Sequence, residues 1–168
     1  DPILKMMVVA VTAYGMSTFE GPMLSLKSIN AIAHFTDWIV GHVHVGARGW
    51  NGFMTFAILY WLIPRIYKTD LYSKKLANFH FWIGTLGIVF YAVPLYWAGI
   101  TQSLMWKQFT PEGILQYPNF LETVTQIIPM YIIRSIGGTM FFTGVIVGVY
   151  NLAKTIKQGT IEANEAAE

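Results

Sequence analysis

Between Lys75 and Lys107 the chain carries no formal charge, and the same holds for residues 6–19, 49–64 and 135–153. A helix crosses the hydrocarbon core of a bilayer with roughly 20 apolar residues, so the two longest runs suffice unaided. With 54% hydrophobic and 12% charged residues, the composition is that of a membrane protein. The residue alternation of a transmembrane barrel is absent. The expected fold is therefore all-α and polytopic, with four transmembrane helices at about 3–25, 38–63, 76–104 and 125–153. Gly84, Gly87, Gly137, Gly138, Gly144 and Gly148 suit close helix packing, which points to a bundle. A disordered, collagen-like or nucleic-acid-binding chain is excluded, because the net charge is only +2 and the basic residues lie between the hydrophobic runs. Without cysteine there is no disulfide, iron–sulfur cluster, Cys-ligated zinc or covalent c-type haem attachment.

The basic residues also set an orientation. Lys5, Arg65, Lys68, Lys74, Lys75, Lys154 and Lys157 fall on one side of the spans, and Lys27 and Lys107 on the other. Positive charge collects in the cytoplasm, which places the 64–75 loop and the C-terminal tail there and the acidic, Pro-containing 107–123 loop outside. The tail 159–168 is small and acidic and is expected to be disordered. The chain opens on Asp1-Pro2 and enters an apolar run at once, so it reads as beginning mid-protein. Trp38, Trp61, Trp97 and Trp106 lie near span ends, where interfacial aromatics are expected.

Ionisable groups inside spans are costly and are functional candidates by default. Here they are Glu20, His42, His44, Arg48 and Arg134, with Tyr14, Ser17, Thr18 and Asn30 as uncharged company. His42 and His44 are two residues apart on an expected helix, so they project roughly 200° apart and cannot chelate one metal. Two readings follow from that spacing. The pair serves two separate centres with the helix as the wall between them, such as two haems ligated by neutral imidazole; or two histidines near a membrane face simply hydrogen-bond there.

The run Phe35-Thr36-Asp37-Trp38-Ile39-Val40-Gly41-His42-Val43-His44 is preceded by Tyr14-Gly15-Met16-Ser17-Thr18-Phe19-Glu20-Gly21-Pro22. It is followed by Ala77-Asn78-Phe79-His80-Phe81-Trp82 and Gly99-Ile100-Thr101-Gln102. Together these resemble the catalytic subunit of cbb3-type cytochrome c oxidases, within the haem–copper oxidase superfamily. The similarity runs from about Met6 to Lys154 and matches the last four of about twelve helices.

The resemblance implies that His42 is the proximal ligand of high-spin haem b3 and His44 an axial ligand of low-spin haem b. The copper ligands of such enzymes belong to earlier helices and have no counterpart here, so this region alone is not expected to turn over. Implied partners are the remainder of the catalytic subunit, c-type cytochrome subunits, cytochrome c as electron donor, and the lipid bilayer of a bacterial inner membrane. The implied function is transfer of electrons from cytochrome c through haem b to a haem b3–copper site, reducing oxygen to water with proton translocation. A nitric oxide reductase of the same superfamily and a non-catalytic membrane module are the alternatives.

Glu20, in an apolar span, is suited either to relay protons or to act as a satisfied structural carboxylate. The resemblance places it near haem b3 at the end of a proton-uptake route, and links Tyr14, Ser17 and Asn30 to that route. His34 and Arg134 are assigned to haem propionates, which Arg engages as a bidentate fork. Asp37 reads as a helix N-cap and His80 as a cap or interface group. Arg48 departs from the resembled pattern, which has an aliphatic residue there.

Overall fold

A computed structural model of the chain describes residues 1–165. Six α-helices and one π-helical stretch follow in order: α1 (Pro2–Ser25), α2 (Lys27–Ala33), α3 (Asp37–His44), the π-helix (Val45–Gly52), α4 (Phe53–Ile66), α5 (Lys74–Trp106) and α6 (Phe120–Glu165). Apart from one isolated bridge between Phe109 and Leu115 in the loop before α6, the described residues form no β-structure. The all-α expectation is met.

Among the described residues, three helices are long and apolar enough to cross a membrane: Pro2–Ser25, Lys74–Trp106 and Phe120–Gly159. The expected 38–63 span is helical throughout but falls into three consecutive stretches, α3, the π-helix and α4. The π-helix holds Gly46, Gly49 and Gly52, and its glycines let α1 approach closely. A Cβ on Gly49 would meet Ala13 Cβ at 2.8 Å, and one on Gly46 would meet Ser17 Oγ at 2.9 Å. Helix α6 continues to Glu165, into the segment expected to be disordered from Gly159; residues 166–168 lie outside the described residues.

The chain has two ends. At one, Lys5 Nζ donates to Asn78 Oδ1 at 3.2 Å, while the Ser73 and Tyr72 amides donate to Asn151 Oδ1 and Thr155 Oγ1 at 3.0 and 3.1 Å. This end gathers the start of α1, the start of α5 and the end of α6. At the other, Asp37 on α3 meets Gln102 on α5 and Tyr131 on α6. Helices α5 and α6 touch backbone to backbone between these ends, because a Cβ on Gly137 would sit 2.6 Å from the Phe90 carbonyl carbon and one on Gly87 2.7 Å from the Phe141 amide nitrogen. Small residues permit that approach in a membrane bundle.

A hydrophobic cluster of Met6, Ala10, Phe53, Ala57, Tyr60, Ala77, Phe81 and Leu152 joins α1, α4, α5 and α6. Large apolar residues on α6 point outward instead: Ile132, Ile136, Phe142 and Ile146 are each more than half exposed. In water such a surface would be a liability; lipid or further membrane helices can cover it.

Three residues differ from their sequence-based roles. Thr36, not Asp37, caps α3, its hydroxyl accepting from the Trp38 amide at 3.3 Å. Asp37 sits in the first turn, 8% exposed, where its carboxylate accepts from Gln102 Nε2 at 2.9 Å and from the Tyr131 hydroxyl at 2.7 Å. His80 is neither cap nor interfacial; it is 1% exposed, and its Nδ1 shares a 3.0 Å hydrogen bond with the Tyr60 hydroxyl. Gly148 makes room for it, since a Cβ there would lie 2.6 Å from His80 Nδ1. Trp38 turns inward to the site described next.

In the loop between α5 and α6, Gly113 adopts φ 80°, a left-handed conformation that favours glycine. The nearby Thr110 side chain holds the exposed Glu112 carboxyl below the usual carboxylate range.

Candidate functional site

Helix α3 lies between α1 and α5 with its two histidines turned to different neighbours. His42 Nδ1 approaches Glu20 Oε2 on α1 at 3.2 Å. The same oxygen accepts from the Tyr96 hydroxyl of α5 at 2.7 Å, and Oε1 accepts from Trp38 Nε1 at 2.6 Å. Glu20 is therefore a junction of three donors from two helices. Among the described residues, Glu20–His42 is the one ion-pair contact, with side chains 12% and 19% exposed respectively.

His44 Nδ1 lies 2.7 Å from the Val40 carbonyl one turn earlier. A carbonyl only accepts, so Nδ1 carries the proton and Nε2 the lone pair. Its ring sits 4.7 Å from that of Tyr91 on α5, and the Tyr91 hydroxyl is 3.4 Å from His44 Nε2. Because a carboxylate also only accepts, His42 is fixed in the same tautomer. Metal-ligating histidines are held in this way, with one ring nitrogen donating to a carboxylate or carbonyl and the other left to bind. The donor chemistry fits axial ligation of haem iron through Nε2, with the Tyr91 hydroxyl, 3.4 Å from His44 Nε2, having to give way to a metal there.

Two guanidinium groups flank the His44 side. The Arg48 carbon lies 4.0 Å above the Tyr91 ring and 5.5 Å from that of Phe141. Arg134 lies 4.9 Å from the Tyr131 ring and 5.7 Å from that of Tyr91. Arg134 thus shares Tyr91 with His44, near the Asp37–Tyr131 bond. His34 stands apart: it is exposed at the end of α2, 4.1 Å from the Phe35 ring.

The expected companions of Glu20 are not bonded to it. Tyr14 is 44% exposed and packs on Trp50 at 4.6 Å, Ser17 lies against the backbone of Gly46, and Asn30 Nδ2 donates to the Leu24 carbonyl at 3.1 Å. Instead Trp38 and Tyr96, which sequence reasoning missed, complete the carboxylate's shell. Tyr96 lies 76 residues from Glu20, and no local pattern joins them.

Long apolar helices that hold their ionisable groups on inward faces, two of them histidines with oriented rings, define a helical membrane protein with a candidate redox site. The chain belongs to the family described as cytochrome c and quinol oxidase polypeptide I, whose model matches residues 1–140. It is 51% identical to a cytochrome c oxidase subunit 1 homolog of Agrobacterium tumefaciens (strain T37), over 93% of this chain and 29% of that protein. Against cytochrome c oxidase subunit 1 of Rhodobacter capsulatus it is 47% identical, over 99% of this chain and 31% of the relative. Against the cbb3-type cytochrome c oxidase subunit CcoN1 of Stutzerimonas stutzeri it is 42% identical, over 99% and 35%. The chain spans about a third of the length of these relatives. The similarity to the cbb3-type subunit accords with the resemblance drawn from the sequence.

Proposed function

We propose that this chain forms one wall of the redox centre of a cbb3-type terminal oxidase in a bacterial inner membrane. The observation that carries the reading is the orientation of the two histidines: each holds Nδ1 on an acceptor, His42 on Glu20 of α1 and His44 on the Val40 carbonyl, which leaves Nε2 as the ligating nitrogen of both. His42 is assigned to the iron of high-spin haem b3 and His44 to that of low-spin haem b. Bound haem supplies one-electron transfer and, at the b3 site with copper held by residues outside this chain, reduction of oxygen to water. Electrons enter from cytochrome c through c-type cytochrome subunits, and proton translocation accompanies turnover.

The chain's own residues bind, orient and neutralise. Glu20 fixes the His42 ring through Nδ1 and, being the carboxylate nearest the pair, is assigned to proton handling beside that site. Tyr96 and Trp38 hold Glu20. Arg134, and His34 from the outer end, are assigned to propionates. Tyr14, Ser17 and Asn30 are assigned to the surroundings of the proton route. The four-span arrangement within a bundle of about twelve helices, with the 64–75 loop and the tail cytoplasmic, accompanies this reading, supported by the alternation of chain ends and by the Lys and Arg distribution.

Reduced-minus-oxidised spectra of the intact complex test it. His44→Ala should remove the low-spin b signal and His42→Ala the high-spin site; two variants with both haems and unchanged oxygen consumption would refute the assignment. The alternative, a nitric oxide reductase, has a more distant relative behind it, a chain of the Stutzerimonas stutzeri enzyme that is 23% identical to this one. Such an enzyme would show additional iron in place of copper on metal analysis.

A further inference from the structure

Arg48 has no place in the function described so far, and its surroundings are unusual for a guanidinium. It lies on the π-helix, within the rod that carries both histidines. Its Nη1 is buried without a hydrogen-bond partner and would stand 3.9 Å from a Cβ on Gly138. From α5 it is faced by Tyr91 at 4.0 Å, and from α6 by Phe141 at 5.5 Å. The other charged group on this side is also a cation, Arg134, 5.7 Å from the same Tyr91 ring. No carboxylate of the described chain pairs with Arg48 within ion-pair distance. The guanidinium keeps its charge at any accessible pH, and two aromatic faces compensate it only partly.

Tyr91 connects this charge to His44, because its ring packs on the imidazole at 4.7 Å while its face lies 4.0 Å from the guanidinium carbon. We propose that Arg48 is a fixed cation that biases the one-electron centre held by His44 toward its reduced state. This rests on the reading of His44 as an axial ligand of the low-spin haem. When ferric iron accepts one electron from a reduced c-type cytochrome and becomes ferrous, the centre loses one positive charge. A nearby cation repels the oxidised form more than the reduced one, and in a poorly polarisable interior the difference is weakly screened. Arg48 is a positioning charge that does not touch iron. His42, on the opposite side of the helix, has an anion as its partner, so the two histidines sit in electrostatic environments of opposite sign.

The test is a potentiometric titration of the intact oxidase, read optically at the low-spin haem, for the wild type, Arg48→Leu, Arg48→Gln and Arg48→Lys. Both neutral variants should keep the haem and its spectrum yet titrate at lower potential. At the wild-type midpoint their ratio of oxidised to reduced haem should rise severalfold. The Lys variant should restore most of the shift, and the high-spin centre should move less. An unchanged midpoint in a haem-replete neutral variant, or loss of the low-spin haem from both neutral variants, overturns the proposal. His44→Ala keeps the two claims distinct: a low-spin signal surviving it defeats the ligand assignment whatever Arg48 does.

Discussion

His42 and Glu20 are joined at 3.2 Å between Nδ1 and Oε2, across the boundary between α3 and α1. An imidazole whose outer nitrogen is held by a carboxylate is a stronger donor through its inner one, and its ring cannot rotate away from a bound metal. If His42 ligates iron as proposed, Glu20 acts on that iron as well as on protons.

Glu20→Gln separates these roles. The amide keeps the shape but neither titrates nor bears charge, so the expected outcome is retained haem with oxygen consumption lowered about 10- to 100-fold, the usual cost of losing an outer partner of a ligating histidine. Tyr96→Phe and Trp38→Phe leave Glu20 able to titrate while each removes one donor, worth about 1.5–3 kcal/mol to a charged acceptor. If proton relay dominates, these two variants stay close to wild-type turnover. Comparable losses in all three identify orientation of His42 as the larger effect, and full turnover in the Gln variant would remove Glu20 from both roles.

The crossing of α5 and α6 is set by Gly87 and Gly137. A methyl on Gly137 would lie 2.6 Å from both the Phe90 carbonyl carbon and the Tyr91 amide nitrogen, and backbone cannot rotate aside as a side chain can. Gly137→Ala should lower stability by about 1–3 kcal/mol, read as a lower denaturation midpoint of the purified complex. Gly87→Ala strains the same crossing, so the double variant should cost less than the sum of the two.

Sidedness rests on seven basic residues against two. Reporters fused within 66–74 should read cytoplasmic and those within 108–120 periplasmic. The reverse pattern would move the Asp37–Gln102–Tyr131 end of the bundle to the cytoplasm and, with it, the propionate assignments.

Much of this molecule was legible in its residues, and what escaped has a common cause. Uncharged runs located every long helix because burial in lipid selects composition over whole segments, a signal that survives without knowledge of neighbours. The rotation of 200° per two residues placed His42 and His44 on different sides, and they do meet different helices. Partners distant in sequence were invisible. Asp37 looked like a cap because Asp at a helix start usually is one, but Gln102 and Tyr131 become its partners only once α5 and α6 pack. Trp38 looked interfacial until Glu20 came within 2.6 Å of its indole nitrogen. The π-helix broke the second expected span, and its one local signal was the spacing of Gly46, Gly49 and Gly52. For His80 a clue did exist: Gly144 and Gly148, four residues apart on α6, mark a slot for a bulky group from the facing helix.

That slot gives the last prediction. Tyr60 and His80 are each 1% exposed and share one hydrogen bond of 3.0 Å, with Phe56 packed edge-on at 4.5 Å from the imidazole. Tyr60→Phe leaves the buried Nδ1 of His80 without its partner, a loss of about 1–3 kcal/mol. His80→Leu removes one partner of the Tyr60 hydroxyl, which the Asn151 side chain also approaches, and should cost somewhat less beyond any change in packing. Replacing both together removes the need for a bond, since two apolar groups of similar shape require none. The double variant should accordingly be less destabilised than the sum of the singles. Denaturation midpoints of the complex measure this, and the haem spectra should stay unchanged because the pair lies near the Ser73–Asn151 end, away from His42 and His44. A Tyr60→Phe complex as stable as the wild type would show that the bond contributes nothing to holding α4 against α5.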